Sequence, residues 1–149
     1  MRIQIQKKRK LQIPSSAKLR MRLARMLAAA GEPDAELSIS FIDDDEMTVL
    51  NGQYRGKNRP TDVLAFPQRE GEYSDVAPSM LGDVVISVDT AARQAEKAGR
   101  AVEWEIEVLL AHGVAHLLGY DHEKGPVHAR AMKRMEKKLL AASRGPAEG

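Results

Sequence analysis

Apolar and polar side chains alternate through Arg2-Ile-Gln-Ile-Gln6, the period of a strand with one covered face, and its polar flank suits a sheet edge. Pro14-Ser15-Ser16 then marks a helix start. Leu19, Leu23, Met26, Leu27 and Ala30 recur at helical spacing, and Gly31 supplies a stop. Leu37, Ile39 and Phe41 alternate again, predicting a second strand. Asp43 with Glu46 is an acidic capping box, and Met47 and Leu50 continue a short helix that Asn51-Gly52 is expected to close. Tyr54 to Asp62 reads as a polar, basic loop carrying Arg55, Lys57 and Arg59. Val63 to Phe66 is a short apolar run ended by Pro67, a third strand. Gln68 to Ser79 is polar with Gly and Pro, which predicts a mobile loop. Leu81 to Val88 predicts another strand with Val84, Ile86 and Val88 on one face, and Asp89 is expected to cap the helix that runs to Gly99. Val102 to Leu118 is the longest helical pattern. Pro126 suits the first position of a final helix whose buried side is Met132, Met135 and Leu139, and Arg144 to Gly149 reads as a flexible tail.

The order is strand, helix, strand, short helix, two strands, three helices. It predicts an α+β fold: a single domain over residues 1–149, with a mixed central sheet of about four strands and helices packed against it. A length of 149 residues suits one domain, and 43% hydrophobic with 30% charged residues is a globular composition. With no cysteine, disulfides are excluded and any metal must be held by His, Asp or Glu. The basic, alternating first ten residues lack the apolar region of a signal peptide, and no apolar run is long enough to span a membrane. A soluble cytoplasmic protein is expected. The net charge of +2 conceals an asymmetry: Met1 to Gly31 holds nine Lys or Arg and no acid, whereas Glu32 to Leu50 holds seven acids and no base. Such a basic block serves either a phosphate-rich partner or a solvated helix face.

The candidate chemistry lies in His112-Gly-Val-Ala-His116-Leu-Leu-Gly119-Tyr-Asp-His122. His112 and His116 are four apart near the end of the longest helix, so their imidazoles share a face. Gly119 lets the chain turn out of the helix, and His122 can fold back towards the same point. Three of the chain's four histidines fall in this segment. Three imidazoles with one position open is the pattern of a catalytic zinc site rather than a structural one. His128 reads as an ordinary helix-face residue. Asp121 suits either an orienting partner of an imidazole or a turn former.

The spacing His-x-x-x-His-x-x-Gly-x-x-His resembles the zinc site of metzincin proteases. Those enzymes carry Glu after the first histidine as general base. Here that position is Gly113, which has no side chain to accept a proton.

The fuller motif His-Gly-x-x-His-Leu-x-Gly-Tyr-Asp-His resembles the YbeY family of bacterial endoribonucleases. Leu50-Asn51-Gly52-Gln53-Tyr54-Arg55 is similar to that family's Leu-Asn-x-x-Tyr-Arg segment. Thr61-Asp62-Val63-Leu64-Ala65-Phe66-Pro67 resembles its Thr-Asp-Val-Leu-Ser-Phe-Pro, with Ala65 in place of Ser. Leu81-Gly82-Asp83-Val84-Val85-Ile86-Ser87 resembles its Leu-Gly-Asp-Ile-x-Ile-Ser. The resemblance runs in order from about residue 37 to about residue 140, and it is the combination that is specific.

The resemblance implies a zinc-dependent, single-strand-specific endoribonuclease of the cytoplasm. It implies action in ribosomal RNA processing, at the small-subunit 3′ end, and in ribosome quality control. It assigns one zinc ion per chain to His112, His116 and His122, and a catalytic role to Arg55. The expected partners are ribosomal RNA and the ribosome or its proteins, with no membrane and no DNA. Lys57 and Arg59 become candidate RNA-backbone contacts; Asp62 and Asp83 read as structural. Taken alone, Arg55 reads as an exposed loop residue or a structural ion-pair partner before it reads as a phosphate clamp. With aromatic residues at 4%, a broad base-stacking platform is not expected. Two alternatives stay open: an assembly factor with a largely structural metal, and a metallohydrolase of another kind, such as a peptidase with a different base.

Overall fold

The computed structural model describes residues 2–7, 13–68 and 79–145. Most of the expected Gln68–Ser79 loop and residues 146–149 of the expected tail lie outside the described residues. In chain order the elements are β1 (Arg2–Lys7), α1 (Ser16–Ala29), β2 (Glu36–Ile42), α2 (Asp44–Arg55), β3 (Val63–Pro67), β4 (Met80–Ser87), α3 (Val88–Ala98), α4 (Val102–Leu117), a 3-10 turn (His122–Lys124) and α5 (Pro126–Ser143). The strands form one mixed sheet in the order β1-β2-β4-β3. β1 and β4 run parallel to β2, and β3 runs antiparallel to β4. The α+β architecture with four strands is the one the pattern predicts, and β1 takes the edge its polar flank suggests.

The main core lies on one face of the sheet. Leu19, Leu23, Met26 and Leu27 of α1 bury against Leu37, Ile39 and Phe41 of β2, together with Ile106, Leu110 and Val114 of α4 and Met132 and Leu139 of α5. On the other face a smaller cluster of Ile42, Met47, Leu64 and Val85 forms beneath α2. β4 is central and covered on both sides, so its apolar residues run on without strict alternation.

Three local expectations change. Asn51-Gly52 does not close α2; the helix continues through Tyr54 and Arg55 to Gly56, which caps it in the left-handed region at φ +68°. Asn51 is buried in that helix and its Nδ2 donates to the Arg59 carbonyl at 2.8 Å. The side chain that reads as a turn former therefore ties down the loop that follows. At the next helix, Val88 belongs to α3 rather than to the strand, and the cap is Ser87, whose hydroxyl faces the Thr90 amide; Asp89 lies in the first turn. Third, the longest helix is α5, at 18 residues, ahead of α4 at 16. Beyond α5, Arg144 stacks its guanidinium 3.8 Å from the Trp104 ring centre and reaches Glu107.

α4 lies close on β4 at Gly113. A Cβ added there would sit 2.7 Å from Val84 Cγ1 and 3.0 Å from Cγ2. Val84 is β-branched and fully buried, so it cannot swing aside. Gly113→Ala should therefore lower stability by about 1–3 kcal/mol from overpacking, against a helix-propensity gain of about 1 kcal/mol at most. Thermal or urea unfolding measures the net loss. Val84→Ala in the same background should recover part of it, and an unchanged midpoint for Gly113→Ala would refute the close approach.

Candidate metal centre

The site begins on α4, whose inward stripe of Ile106, Leu110, Gly113 and Val114 is buried. That stripe turns His112 and His116 together towards a cleft, both half-buried. The helix ends at Leu118, and the Gly119 and Tyr120 amides donate back to the His116 and Ala115 carbonyls at 3.0 and 3.2 Å. Gly119 reverses the chain at φ +104°, a backbone conformation that side chains rarely adopt. Asp121 then caps the 3-10 turn, its Oδ1 accepting from the Glu123 amide at 2.9 Å. His122 opens that turn and faces the other two rings.

The ring centres of His112 and His116 lie 5.4 Å apart, and those of His122 lie 5.8 and 5.9 Å from them. One ligand nitrogen from each ring falls within 4.8 Å of the others, so the group can hold a metal ion. The donor set fits the chemistry: three imidazoles, borderline in softness, suit zinc and its neighbours. Burial, with smaller contributions from the nearby His112 and His122, lowers the pKa of His116. Its ring is thereby kept in the neutral form that a ligand requires.

Asp121 is the turn former of its two readings. The Glu123 amide holds its carboxyl below the usual range, with smaller help from His116. Asp62 is structural as expected: Oδ1 accepts from the Val63 amide at 2.7 Å and Oδ2 from Gln94 Nε2 at 3.2 Å. Asp83 pairs with Gln68 at 3.4 Å. His128 is exposed on α5, apart from the cluster.

The cleft has a volume of about 560 Å³ and is lined by the three histidines, Tyr54, Arg55, Thr61 to Phe66, Asp121 and Glu123. Arg55 comes from the last turn of α2, not from a loop. Its guanidinium is 43% exposed and lies 3.4 Å from Glu123. The ion-pair reading of Arg55 thus holds, and an exposed ion pair of this kind is weak and easily exchanged for another anion. Lys57 and Arg59 are exposed beyond the helix end and do not line the cleft.

Sequence pattern misses two features here. Tyr54 is 64% exposed and stands edge-on to Phe66, ring centres 4.8 Å apart, on the cleft wall. Glu136 of α5 meets His112, Oε1 to Nδ1, at 2.5 Å. Glu136 has no local signature, because it sits in a charged helix and meets the site only through tertiary packing.

Fold and site together define an α+β protein with an open cluster of three imidazoles able to hold one metal ion. The chain matches the profile of the family described as Endoribonuclease YbeY over residues 2–144, and it belongs to that family. It is 42% identical over 142 residues to an Endoribonuclease YbeY of Geobacter sulfurreducens, covering 95% of each chain. It is 50% identical over 128 residues to one of Anaeromyxobacter dehalogenans, covering 86% of this chain but 64% of that longer relative. A solution structure of a Thermotoga maritima protein aligns with a TM-score of 0.66 and 28% identity, over 96% of this chain and 89% of the other. Among the described residues, no helix is long and apolar enough to cross a membrane.

The lowered pKa of His116 carries a pH dependence. An unfolded histidine titrates near about 6.5. Because folding holds His116 below that, the unfolded chain takes up the proton first, and folding stability falls as pH drops through this region. Urea unfolding of metal-free protein should show this loss between about pH 7 and pH 5, and His116→Gln should flatten the slope. An equally steep slope in the variant would assign the dependence to other groups.

Proposed function

We propose that the chain is a single-domain, metal-dependent endoribonuclease that cuts single-stranded ribosomal RNA in the cytoplasm, at the small-subunit 3′ end and in ribosome quality control. The observation that carries the reading is that Arg55 lines the same cleft as His112, His116 and His122. A nuclease of this kind needs a cation-binding centre and a phosphate clamp facing one space. Family membership supports RNA as the substrate.

His112, His116 and His122 would hold one zinc ion. When bound, that ion supplies a Lewis acid for a phosphoryl oxygen and an open position for a water. The chain's own residues do the rest. Arg55 exchanges Glu123 for two phosphate oxygens, which its planar fork matches, and offsets the charge that grows on them. Tyr54, propped by Phe66, offers one ring to one base, which suits an unpaired strand. Lys57 and Arg59, exposed just after the clamp in sequence, would contact the RNA backbone, and Asn51 fixes their loop through the Arg59 carbonyl. Gly113 faces Val84 in the core rather than the cleft, so the position that serves proteases as a base has no access to substrate. The ribosome and its proteins are the partners that would present such a strand.

The test is cleavage of a single-stranded ribosomal RNA fragment. Wild-type protein should cut it, and chelator-stripped protein and His116→Ala should not. Arg55→Ala should lose about 10²–10³-fold in rate, the scale of removing one charge-stabilising donor, and Arg55→Lys should recover part. Undiminished cutting by the stripped protein would end the metal-dependent reading. Intact ribosome binding without cleavage would favour an assembly factor, and peptide cleavage a different hydrolase. Separately, Lys57→Ala should weaken RNA binding and reduce its log–log salt slope by about 0.7; an unchanged slope would remove Lys57 from the strand path.

A further inference from the structure

The one hydrogen bond described for the three imidazoles' side chains comes from a different part of the fold. His112 Nδ1 lies 2.5 Å from Glu136 Oε1, and the two side chains are 32% and 30% exposed. Glu136 sits one helical turn after Met132, which is 1% exposed in the core. Residues four apart share a helix face, so the burial of Met132 also aims Glu136 at α4. Lys133, three residues before Glu136 and on the same side, lines a shallow pocket with Glu136, His112 and His122, and Lys137 is exposed. α5 packs against both α4 and the turn that bears His122, so one helix braces both supports of the histidine cluster.

A neutral imidazole has one N–H and one bare nitrogen, and the bond made by one nitrogen decides the role of the other. With Nδ1–H donating to the Glu136 carboxylate, Nε2 is bare. The same bond fixes the ring's rotation. Glu136 is not among the groups whose ligand atoms converge, which sets it behind the ring rather than beside the ion.

We infer that Glu136 is a positioning residue: it holds His112 in the tautomer and orientation that present Nε2 to a metal ion. The inference rests on the metal-binding reading given above and adds to it a carboxylate outside the ligand set.

The experiment uses the full chain, stripped of metal. Zn²⁺ affinity is measured by competition with a chromophoric chelator, and the ligand field by the visible absorption of the Co²⁺-loaded protein. Glu136→Ala should bind Zn²⁺ about 10–100-fold more weakly and alter the Co²⁺ spectrum. Glu136→Gln keeps an oxygen that accepts from Nδ1–H and should recover most of the affinity. In Zn²⁺-loaded wild type, ¹⁵N NMR should find His112 coordinated through Nε2 and protonated at Nδ1. That measurement decides the matter even if Glu136→Ala does not fold. Coordination through Nδ1, or a folded Glu136→Ala with wild-type affinity and spectrum, would overturn the positioning role and leave the metal site standing. A wild type that binds neither Zn²⁺ nor Co²⁺ would overturn both.

Discussion

The close seating of α4 on β4 sets where the imidazoles of the cleft stand. One face of the helix must lie flat on the sheet, and Gly113 makes this possible by leaving Val84 its space. The neighbouring face then carries His112 and His116. Rotation of the helix is further opposed by charge. Glu107 is fully buried on α4, where Arg22 of α1 and Arg144 beyond α5 both pair with it. Glu105, also buried, holds Arg100 at 2.7 Å. Turning α4 would separate buried carboxylates from their partners, and an unpaired buried charge costs several kcal/mol, on the order of 3–5. The direction of the imidazoles is thus set by the core and by ion pairs that take no part in the site.

The opposite wall of the cleft is built differently. α2 is anchored at its far end by Asp44, whose Oδ1 accepts from Ser87 and Thr90 at 2.7 and 2.6 Å and whose Oδ2 accepts from Arg93 at 2.6 Å. Burial works against the charge of Asp44, but these hydrogen bonds outweigh it and hold the carboxyl below its usual range. The Asp44 amide in turn donates to Asp89. From this anchor, α2 runs 12 residues, about 18 Å, to Arg55. The guanidinium therefore stands on a rigid rod fastened to α3, and only its side-chain bonds are free to adapt.

Features carried by local periodicity were legible in the chain: the order of elements, the edge position of β1, the inward stripes of α1 and α5, and the convergence of three histidines through one helical turn and one glycine. Other features depended on what a residue meets in space. Asn51-Gly52 has the composition of a stop, yet burial of the Asn51 side chain and its bond to the Arg59 carbonyl carry the helix onward. Asp89 has the composition of a cap, yet Ser87 takes that place and Asp89 receives the α2 amide instead. Glu136 owes its position to neighbours distant in sequence, and no spacing rule reaches it.

The histidines occupy a stretch of eleven residues, whereas Arg55 reaches the cleft from another helix. Drawing together the ends of so short a segment costs little chain entropy, and the cost of the arginine's long closure is met only when the sheet has assembled. The two halves of the cleft thus mature on different schedules in folding. The three histidines are near neighbours along the chain before any sheet forms, while the guanidinium opposite arrives with the finished sheet.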